Sequence, residues 1–107
     1  KNDWDWVMGV NYQAVLHGLQ TFIPHMLKHG EEGHVVTTVS LAGLMPGAGT
    51  YGVSKHAVMA LTEALSRDLV ARGAKINSSV LCLFIFLSVE RLTLINWHFL
   101  PININFN

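Results

Sequence analysis

Apolar side chains recur at steps of three and four over the first quarter of the chain. This spacing predicts an amphipathic helix over residues 3–29, and Gly30 is its expected end because glycine favours the position after a helix. The face predicted to be buried consists of Met8, Tyr12, Val15, Leu19, Phe22 and Met26.

Two short segments with strand character flank a second helical pattern. Residues 34–40 and 75–82 are predicted strands, and the first lacks strict alternation, which indicates burial on both faces. Between them, a Gly- and Pro-rich stretch over residues 43–52 leads into a helix that extends to about residue 71. Its apolar face contains Val58, Leu61, Leu65 and Leu69. Because a strand, a crossover helix and a strand form the βαβ unit of a parallel sheet, we expect an α/β fold.

Composition limits the classes of protein to which the chain can belong. Half of its 107 residues are hydrophobic, enough for the core of one domain. Seven Lys and Arg residues balance seven Asp and Glu residues, so no nucleic-acid partner is expected. Cys82 is the single cysteine, which excludes an intrachain disulfide and agrees with a cytoplasmic location. The first residues show neither an initiator Met nor a signal-peptide pattern, from which we expect that residues are missing upstream.

Residues 83–107 form an apolar tail that departs from this pattern. Only Glu90 and Arg91 carry charged side chains there. The nearly apolar run over residues 80–89 is ten residues long, about half of what a membrane span requires. A buried or aggregation-prone strand is therefore preferred over a membrane-associated tail, and no membrane partner is expected.

The residues best suited to chemistry follow the first predicted strand. Tyr51 and Lys55 are four positions apart at the start of the second helix, so their side chains project from the same face. An ordinary phenol, with a pKa of about 10, transfers protons poorly at neutral pH, and a nearby cation favours the phenolate. Ser40 ends the preceding strand, at the edge where parallel sheets bind ligands, and its hydroxyl can polarise a substrate carbonyl.

Five short motifs occur in the order found in short-chain dehydrogenases/reductases. They are Val10-Asn11-Tyr12, Pro24-His25-Met26, Gly33-His34-Val35-Val36, Ser40-Leu41-Ala42-Gly43 and Tyr51-Gly52-Val53-Ser54-Lys55-His56-Ala57-Val58. Residues 3–82 therefore resemble the catalytic half of this family. The resemblance implies a partial Rossmann-type fold, in which residues 1–82 are the C-terminal catalytic half and the N-terminal dinucleotide-binding half is missing. Residues 83–107 lie outside the family pattern.

The resemblance also implies hydride transfer between NAD or NADP and a small alcohol or carbonyl substrate. Tyr51 would be the catalytic acid/base, and Lys55 would hydrogen-bond the nicotinamide ribose, so both residues would also contribute to cofactor binding. Ser40 would orient the substrate oxygen, and Asn11 would hold a water molecule in the proton relay. The loop between the serine and the tyrosine is slightly shorter than is usual in the family, which leaves Thr38 as a second candidate for the serine position.

Two departures from the family pattern bear on activity. The glycine-rich turn that seats the cofactor pyrophosphate, and the residue that reads the adenosine ribose, are both absent. We therefore expect the isolated chain to be nearly inactive. After residue 82, apolar residues replace the family's Pro-Gly pair, and a change of reading frame or intron read-through is our hypothesis for this difference.

A second interpretation makes the chain a non-catalytic fragment that associates with intact family members through its two long helices. In the family, these helices often pack against their counterparts in a second subunit, so the resemblance also implies a homo-oligomer. The two interpretations differ in whether the chain binds a cofactor of its own.

Two other patterns have simpler explanations. Residues 47–52 spell G-x-G-x-x-G, but they do not follow the strand directly, and the next acids, Glu63 and Asp68, lie inside a helix. A flexible substrate-side loop is therefore expected. His25 and His29 have the spacing of zinc ligands, but no third ligand is evident, and favourable charge at a helix C-terminus explains them. No metal site is expected.

Overall fold

The N-terminal helical region contains a π turn between two α-helices. The computed structural model describes residues 2–83 and 101–102. Helix α1 spans Asn2–Met8, the π turn spans Gly9–Gln13 and helix α2 spans Ala14–His29. In the π turn, the N–H of Ala14 bonds to the carbonyl of Gly9 instead of to that of Val10, its partner in an α-helix. The predicted helix is confirmed, and Gly30 follows it in the left-handed conformation with φ of 70°.

The buried face of α2 differs from the predicted face at one position. Ile23 is buried whereas Phe22 is 66 % exposed, so the assignment of Phe22 to the core is wrong. Both residues lie three or four positions after Leu19, so the spacing alone allows either one to be buried. The orientation of the helix determines which of the two faces the core. Ile23 packs in one cluster with Leu69 and Ile76, whereas the adjacent Phe22 lies about 100° further round the helix axis.

Two parallel strands joined by a helix form the predicted βαβ unit. Strand β1 spans Gly33–Ser40, helix α3 spans Gly49–Ala71 and strand β2 spans Ile76–Leu83. The register pairs Val39 with Cys82 and Ser40 with Leu83, so both strands end at the same level. A further strand, β3 at Pro101–Ile102, pairs antiparallel with β2 and has no counterpart in the sequence-based prediction.

Strand β1 is buried on one face only. Thr37 and Val39 are buried, whereas His34, Val36 and Thr38 are exposed. The predicted burial on both faces is therefore wrong for the described part of the chain. The physical reason is that α2 and α3 pack on the same face of the sheet, so the opposite face carries no helix within the described residues.

The core beneath the carboxyl ends of the strands joins the helices to the sheet. Its members are the buried residues Val39, Val58, Val80 and Cys82, with partly buried Tyr12, Val15 and Met59 packed around them. Burying an aliphatic side chain of this size stabilises a fold by about 1.5–3 kcal/mol. Since Val39 precedes Ser40 and Val58 lies three residues after Lys55, one core holds both the end of β1 and the start of α3.

The apolar tail is largely outside the described residues. Of residues 83–107, only residue 83 and residues 101–102 are described, so the preference for a buried strand over residues 80–89 stays a prediction beyond the end of β2. Among the helices that are described, none combines the length and the apolar character needed to cross a bilayer.

Candidate active site

The carboxyl end of β1 leads directly to the candidate residues. After Ser40 the chain forms a 3-10 turn, Leu41–Gly43, and then a loop that reaches α3 at Gly49. Tyr51 lies in the first turn of α3, and Lys55 lies one turn later. Ligands of parallel sheets bind outside the carboxyl ends of the strands, so this edge is the expected position of a substrate.

The hydroxyl of Ser40 caps the 3-10 turn. Ser40 itself is extended, with φ of -103° and ψ of 164°, and its Oγ accepts a hydrogen bond from the N–H of Ala42 at 3.3 Å. This bond uses a lone pair of the hydroxyl and leaves its hydrogen for another acceptor, such as a substrate oxygen. Thr38, the alternative to Ser40, lies two residues earlier on the same side of β1 and is exposed.

Two glycines allow the 3-10 turn and the loop to pack tightly against α3. A Cβ at Gly43 would lie 3.0 Å from the carbonyl oxygen of Lys55, and a Cβ at Gly52 would lie 2.9 Å from the Cβ of Ala48. Because the first of these contacts is with backbone, a larger residue at Gly43 would push the turn away from the helix. The separation between the end of β1 and the first turns of α3 therefore depends on the absence of a side chain at Gly43.

Tyr51 and Lys55 lie on the same side of α3, as their spacing predicts. The Nζ of Lys55 is 5.5 Å from the centroid of the Tyr51 ring, within the range of a cation–π contact. Tyr51 is 45 % exposed, so a ligand can reach it. Lys55 is half-buried and forms no ion pair within the described residues, which leaves its ammonium group available to a negatively charged or polar partner.

Asn11 reaches the same part of α3 from the π turn. Its Nδ2 donates a hydrogen bond to the Oγ of Ser54 at 3.0 Å, and that Oγ donates in turn to the carbonyl of Tyr51 at 2.7 Å. The structure therefore connects Asn11 to the backbone of Tyr51 through a single hydroxyl. Such π turns are frequent at functional sites, which agrees with the place of this one beside the start of α3.

Three residues of this region were given no role by the sequence analysis. Gly43, Gly52 and Ser54 all stand inside the motifs that carry the resemblance, beside residues that were assigned roles. Gly43 and Ser54 contact segments that are distant in the sequence, and Gly52 is buried against Ala48. Neither kind of contact can be seen in a local sequence pattern.

The glycines of residues 47–52 shape the loop before α3. Gly47 and Gly49 have φ of 96° and 56°, conformations that other L residues rarely adopt. The motif follows a 3-10 turn and a bend, not a strand, which distinguishes it from the dinucleotide-binding fingerprint.

The remaining candidate ligands for a metal are dispersed. Over residues 2–83 and 101–102, no group of three or more His, Cys, Asp and Glu side chains is placed to hold a metal ion. His25 and His29 are both exposed on α2, and the Nδ1 of His29 accepts a hydrogen bond from the N–H of Glu31 at 3.2 Å. Cys82 lies in the core, where desolvation by burial raises the pKa of its thiol and keeps it protonated.

Comparison with known proteins identifies the family. The sequence matches the profile of the short chain dehydrogenase family over residues 1–86. This chain belongs to the short-chain dehydrogenase family. A C alpha-dehydrogenase of Sphingobium sp. is 38 % identical over 78 residues, which cover 71 % of this chain and 26 % of that protein. A 1-deoxy-11-beta-hydroxypentalenate dehydrogenase of Streptomyces avermitilis is 41 % identical over 78 residues, which cover 71 % of this chain and 28 % of that protein.

Solved structures of short-chain dehydrogenases share the fold. A short chain dehydrogenase/reductase from Burkholderia phymatum, solved in complex with NAD, is 48 % identical with a TM-score of 0.74 and covers 77 % of this chain and 30 % of its own. An acetoin dehydrogenase from Enterobacter cloacae has a TM-score of 0.66 at 23 % identity over 79 % of this chain and 36 % of its own, and shows similarity of fold alone. The predicted α/β class with a Rossmann-type fold is confirmed. The chain spans about a quarter to a third of the length of the curated relatives that it matches.

Proposed function

We propose that this short-chain dehydrogenase chain carries the proton-transfer part of an active site that moves a hydride between NAD or NADP and a small alcohol or carbonyl compound. The observation that carries the proposal is the exposed Tyr51 ring with the Nζ of Lys55 5.5 Å from its centroid, at the carboxyl end of β1. Family membership supports the class of reaction, and the geometry of the pair supports the assignment of these two residues.

In this proposal Tyr51 is the catalytic acid/base. During oxidation the phenolate takes the proton of the alcohol as hydride leaves the carbon, and during reduction the phenol returns a proton to the carbonyl oxygen. The ammonium group of Lys55 faces the Tyr51 ring, and in the proposal its positive charge offsets the negative charge that develops in the reaction. A positioned acid/base of this kind accelerates a reaction by about 10²–10⁴-fold.

A nicotinamide dinucleotide, when bound, supplies the donor or acceptor of the hydride. The hydroxyl of Tyr51 and the ammonium group of Lys55 are hydrogen-bond donors, and such donors fit the hydroxyl groups of the nicotinamide ribose. The pyrophosphate of the cofactor ordinarily binds where a glycine-rich turn joins a strand directly to a helix, and residues 2–83 contain no turn with that placement. The described residues therefore fit one end of the cofactor.

Ser40 and Asn11 complete the proposed site. The hydroxyl of Ser40 has its hydrogen free of the bond to Ala42, and in the proposal it donates that hydrogen to the substrate oxygen and orients it. Asn11 lies in the π turn and holds a water molecule in the proton relay, while its side-chain amide bonds to Ser54. Thr38 is the less favoured candidate for the serine role because Leu41-Ala42-Gly43 follows Ser40, as the family motif expects.

The proposal includes a negligible activity for the chain on its own. Residues 1–82 would be the catalytic half of the domain, and residues 83–107 a tail outside the family pattern. Strand β1 has a partner on one edge only within the described residues, and one sheet face carries no helix there. The proposed location is the cytoplasm.

A specific observation favours a second function, association through α2 and α3. These two helices border an apolar groove, lined by Leu19, Ile23, Leu27, Leu61 and Leu65 among others. Burial of such a surface is favourable by roughly 25 cal/mol for each Å² removed from water. We therefore propose that the groove receives the matching helices of a second copy, giving a homo-oligomer, or those of an intact family member.

The experiment that tests the catalytic proposal is a chimera. The matching segment of 78 residues in the Sphingobium C alpha-dehydrogenase is replaced with that of this chain, and NAD(P)H absorbance follows turnover of the alcohol that the host enzyme oxidises. We expect the chimera to be active and Tyr51→Phe to lower its turnover by about 10²–10⁴-fold. Tyr12→Phe is the matched control, since Tyr12 packs against the core and should leave turnover unchanged.

Two results would contradict the proposal. A Tyr51→Phe chimera as active as its parent would remove Tyr51 from the chemistry. Turnover of an alcohol with NAD(P) by the chain alone would refute the expectation that it is inactive by itself.

In the second function, the chain would be captured by an intact relative and would bind no cofactor of its own.

A further inference from the structure

The Ser54 hydroxyl occupies a junction between the π turn and the first turns of α3. Ser54 is fully buried, and its Oγ makes two hydrogen bonds, at 2.7 Å to the carbonyl of Tyr51 and at 3.0 Å to Nδ2 of Asn11. A carbonyl can only accept, so Ser54 must donate its one hydrogen to Tyr51. The partner on Asn11 must then be a donor, which is the amide nitrogen. Both directions are thus fixed by chemistry.

We propose that Ser54 is a positioning residue for Tyr51, which it holds at a set place relative to the π turn and to Lys55. This inference rests on the proposed function for the role of Tyr51 as acid/base. It adds a residue to which no catalytic or binding role has been assigned above.

The start of α3 needs such support because the helix lacks a side-chain cap. Ala48 occupies the N-cap position and makes no side-chain hydrogen bond there. The first N–H groups of a helix have no partners within it, and uncapped helix ends open readily. Tyr51 lies in this first turn, so without a further anchor its ring would move relative to the ammonium group of Lys55. The two bonds of Ser54 connect the turn to a different helical segment, 43 residues earlier in the chain.

Thr62 provides a matched comparison within the same helix. It is also buried, and its Oγ1 donates to the carbonyl of Val58 at 2.9 Å, as Ser54 donates to the carbonyl of Tyr51. The hydrogen bond of Thr62 to Val58 stays within α3, whereas Ser54 also accepts a bond from Asn11. Loss of either hydroxyl removes a helical side-chain bond, but only the loss of Ser54 breaks the connection to the π turn.

The experiment measures the position of the Tyr51 ring over Lys55 in the full chain by nuclear magnetic resonance. The side-chain protons of Lys55 experience a ring-current shift from Tyr51, and a Tyr51→Leu variant gives the value without the ring. We expect Ser54→Ala and Asn11→Ala each to reduce the ring-current shift by about half or more, because this shift falls steeply as the Lys55 protons move away from the ring and the Nζ is now within cation–π range at 5.5 Å. Thr62→Val should leave the shift unchanged.

The double variant Ser54→Ala/Asn11→Ala distinguishes a positioning role from simple packing. Because both single variants break the same connection, the double variant should reduce the shift no further than either single one. Additive losses, an equal loss in Thr62→Val, or no loss in Ser54→Ala would overturn the proposal. If Ser54→Ala fails to fold, Asn11→Ala removes the same bond from the other side and leaves α3 intact, so it carries the decision.

The outcome can be separated from that of the proposed function. The ring-current measurement uses neither cofactor nor substrate, so a chain without dehydrogenase chemistry would still show whether Ser54 holds Tyr51. Conversely, a Tyr51→Phe chimera that loses activity, together with an unchanged shift in Ser54→Ala, would retain the catalytic role and reject the positioning role.

Discussion

Gly43, in the 3-10 turn, packs directly on the backbone of Lys55 in α3. A Cβ at Gly43 would be only 3.0 Å from the carbonyl oxygen of Lys55. Helix backbone cannot yield as a flexible side chain can, so the turn itself would have to move. The end of β1 and the helix that carries Tyr51 are therefore held together by a contact that only glycine permits.

Gly43→Ala should destabilise the chain. Forcing a methyl group into a packed contact costs about 1–3 kcal/mol, and we expect the free energy of unfolding to fall by that amount. Chemical denaturation followed by circular dichroism measures the change. Gly18→Ala is the control, because a Cβ at Gly18 in α2 meets nothing within 4 Å and alanine favours a helix by about 0.5–1 kcal/mol. Equal effects of the two substitutions would show that the Gly43 contact does not matter.

Replacing the ammonium group of Lys55 should slow catalysis. In the chimera described above, Lys55→Met keeps most of the length of the side chain and removes its charge, so no ammonium group faces the ring of Tyr51. We expect turnover to fall by about 10²-fold or more. Lys28→Met, at an exposed position in the last turn of α2, serves as the control and should retain activity. A Lys55→Met chimera with full turnover would show that the charge is dispensable.

The Cys82 thiol should react slowly in the folded chain. Burial raises the pKa of Cys82, and the thiolate is the form that attacks alkylating reagents. We expect iodoacetamide at pH 8 to modify the folded chain at least about 10-fold more slowly than the urea-unfolded chain, as judged by mass spectrometry. Equal rates in the two states would contradict the burial of this residue.

The raised pKa of Cys82 also predicts how the stability of the chain changes with pH. Since the pKa of Cys82 is raised on folding, the unfolded chain releases the thiol proton first as pH rises. The contribution of the buried Cys82 thiol to the free energy of unfolding is therefore intact below the ordinary thiol pKa of about 8.5. It is lost as the pH rises through the higher pKa of Cys82 in the folded chain. Denaturation midpoints measured from pH 7 to pH 10 should show this decline, and Cys82→Ala should remove that part of it. A decline of the same size in Cys82→Ala would assign the effect to other groups.

A charge placed in the groove between α2 and α3 should prevent association. Leu61→Lys puts an ammonium group into the apolar lining, where it would lose hydration in any helix–helix contact. We expect sedimentation analysis to show a smaller assembly than the unmodified chain gives. Val70→Lys is the control, since Val70 is 67 % exposed and nine positions away, on the opposite side of α3. Disruption by Val70→Lys, with none by Leu61→Lys, would move the contact to the other face.

Local patterns were sufficient for the two long helical segments, for β1 and β2, and for the shared face of Tyr51 and Lys55, but not for the π turn or β3. Helix and strand periodicity depends on neighbours a few positions apart, and a spacing of four on a helix fixes which side chains share a face. Gly30 ended the helix as expected, because the left-handed conformation that it adopts is a property of glycine itself.

Burial was harder to predict because it depends on what covers a face. The lack of strict alternation in β1 suggested two covered faces, yet α2 and α3 pack on one of them, and Val36 is 56 % exposed. Phe22 and Ile23 are equally apolar, and only the contact of α2 with Leu69 and Ile76 distinguishes them. Ser54 is a small polar residue in a helix, so its connection to Asn11 could be found only once the two segments were placed in space.

The π turn sets the angle at which the first helix presents its side chains. Removing one residue from Gly9–Gln13 would restore regular α-helical winding, and every residue before the deletion would rotate about 100° around the axis. The exposed side chains of Trp4 and Trp6 would then face a different side of the molecule than they do now, although the sequence around them had not changed. The one extra residue of the π turn thus determines which way the side chains of α1 face around the helix axis.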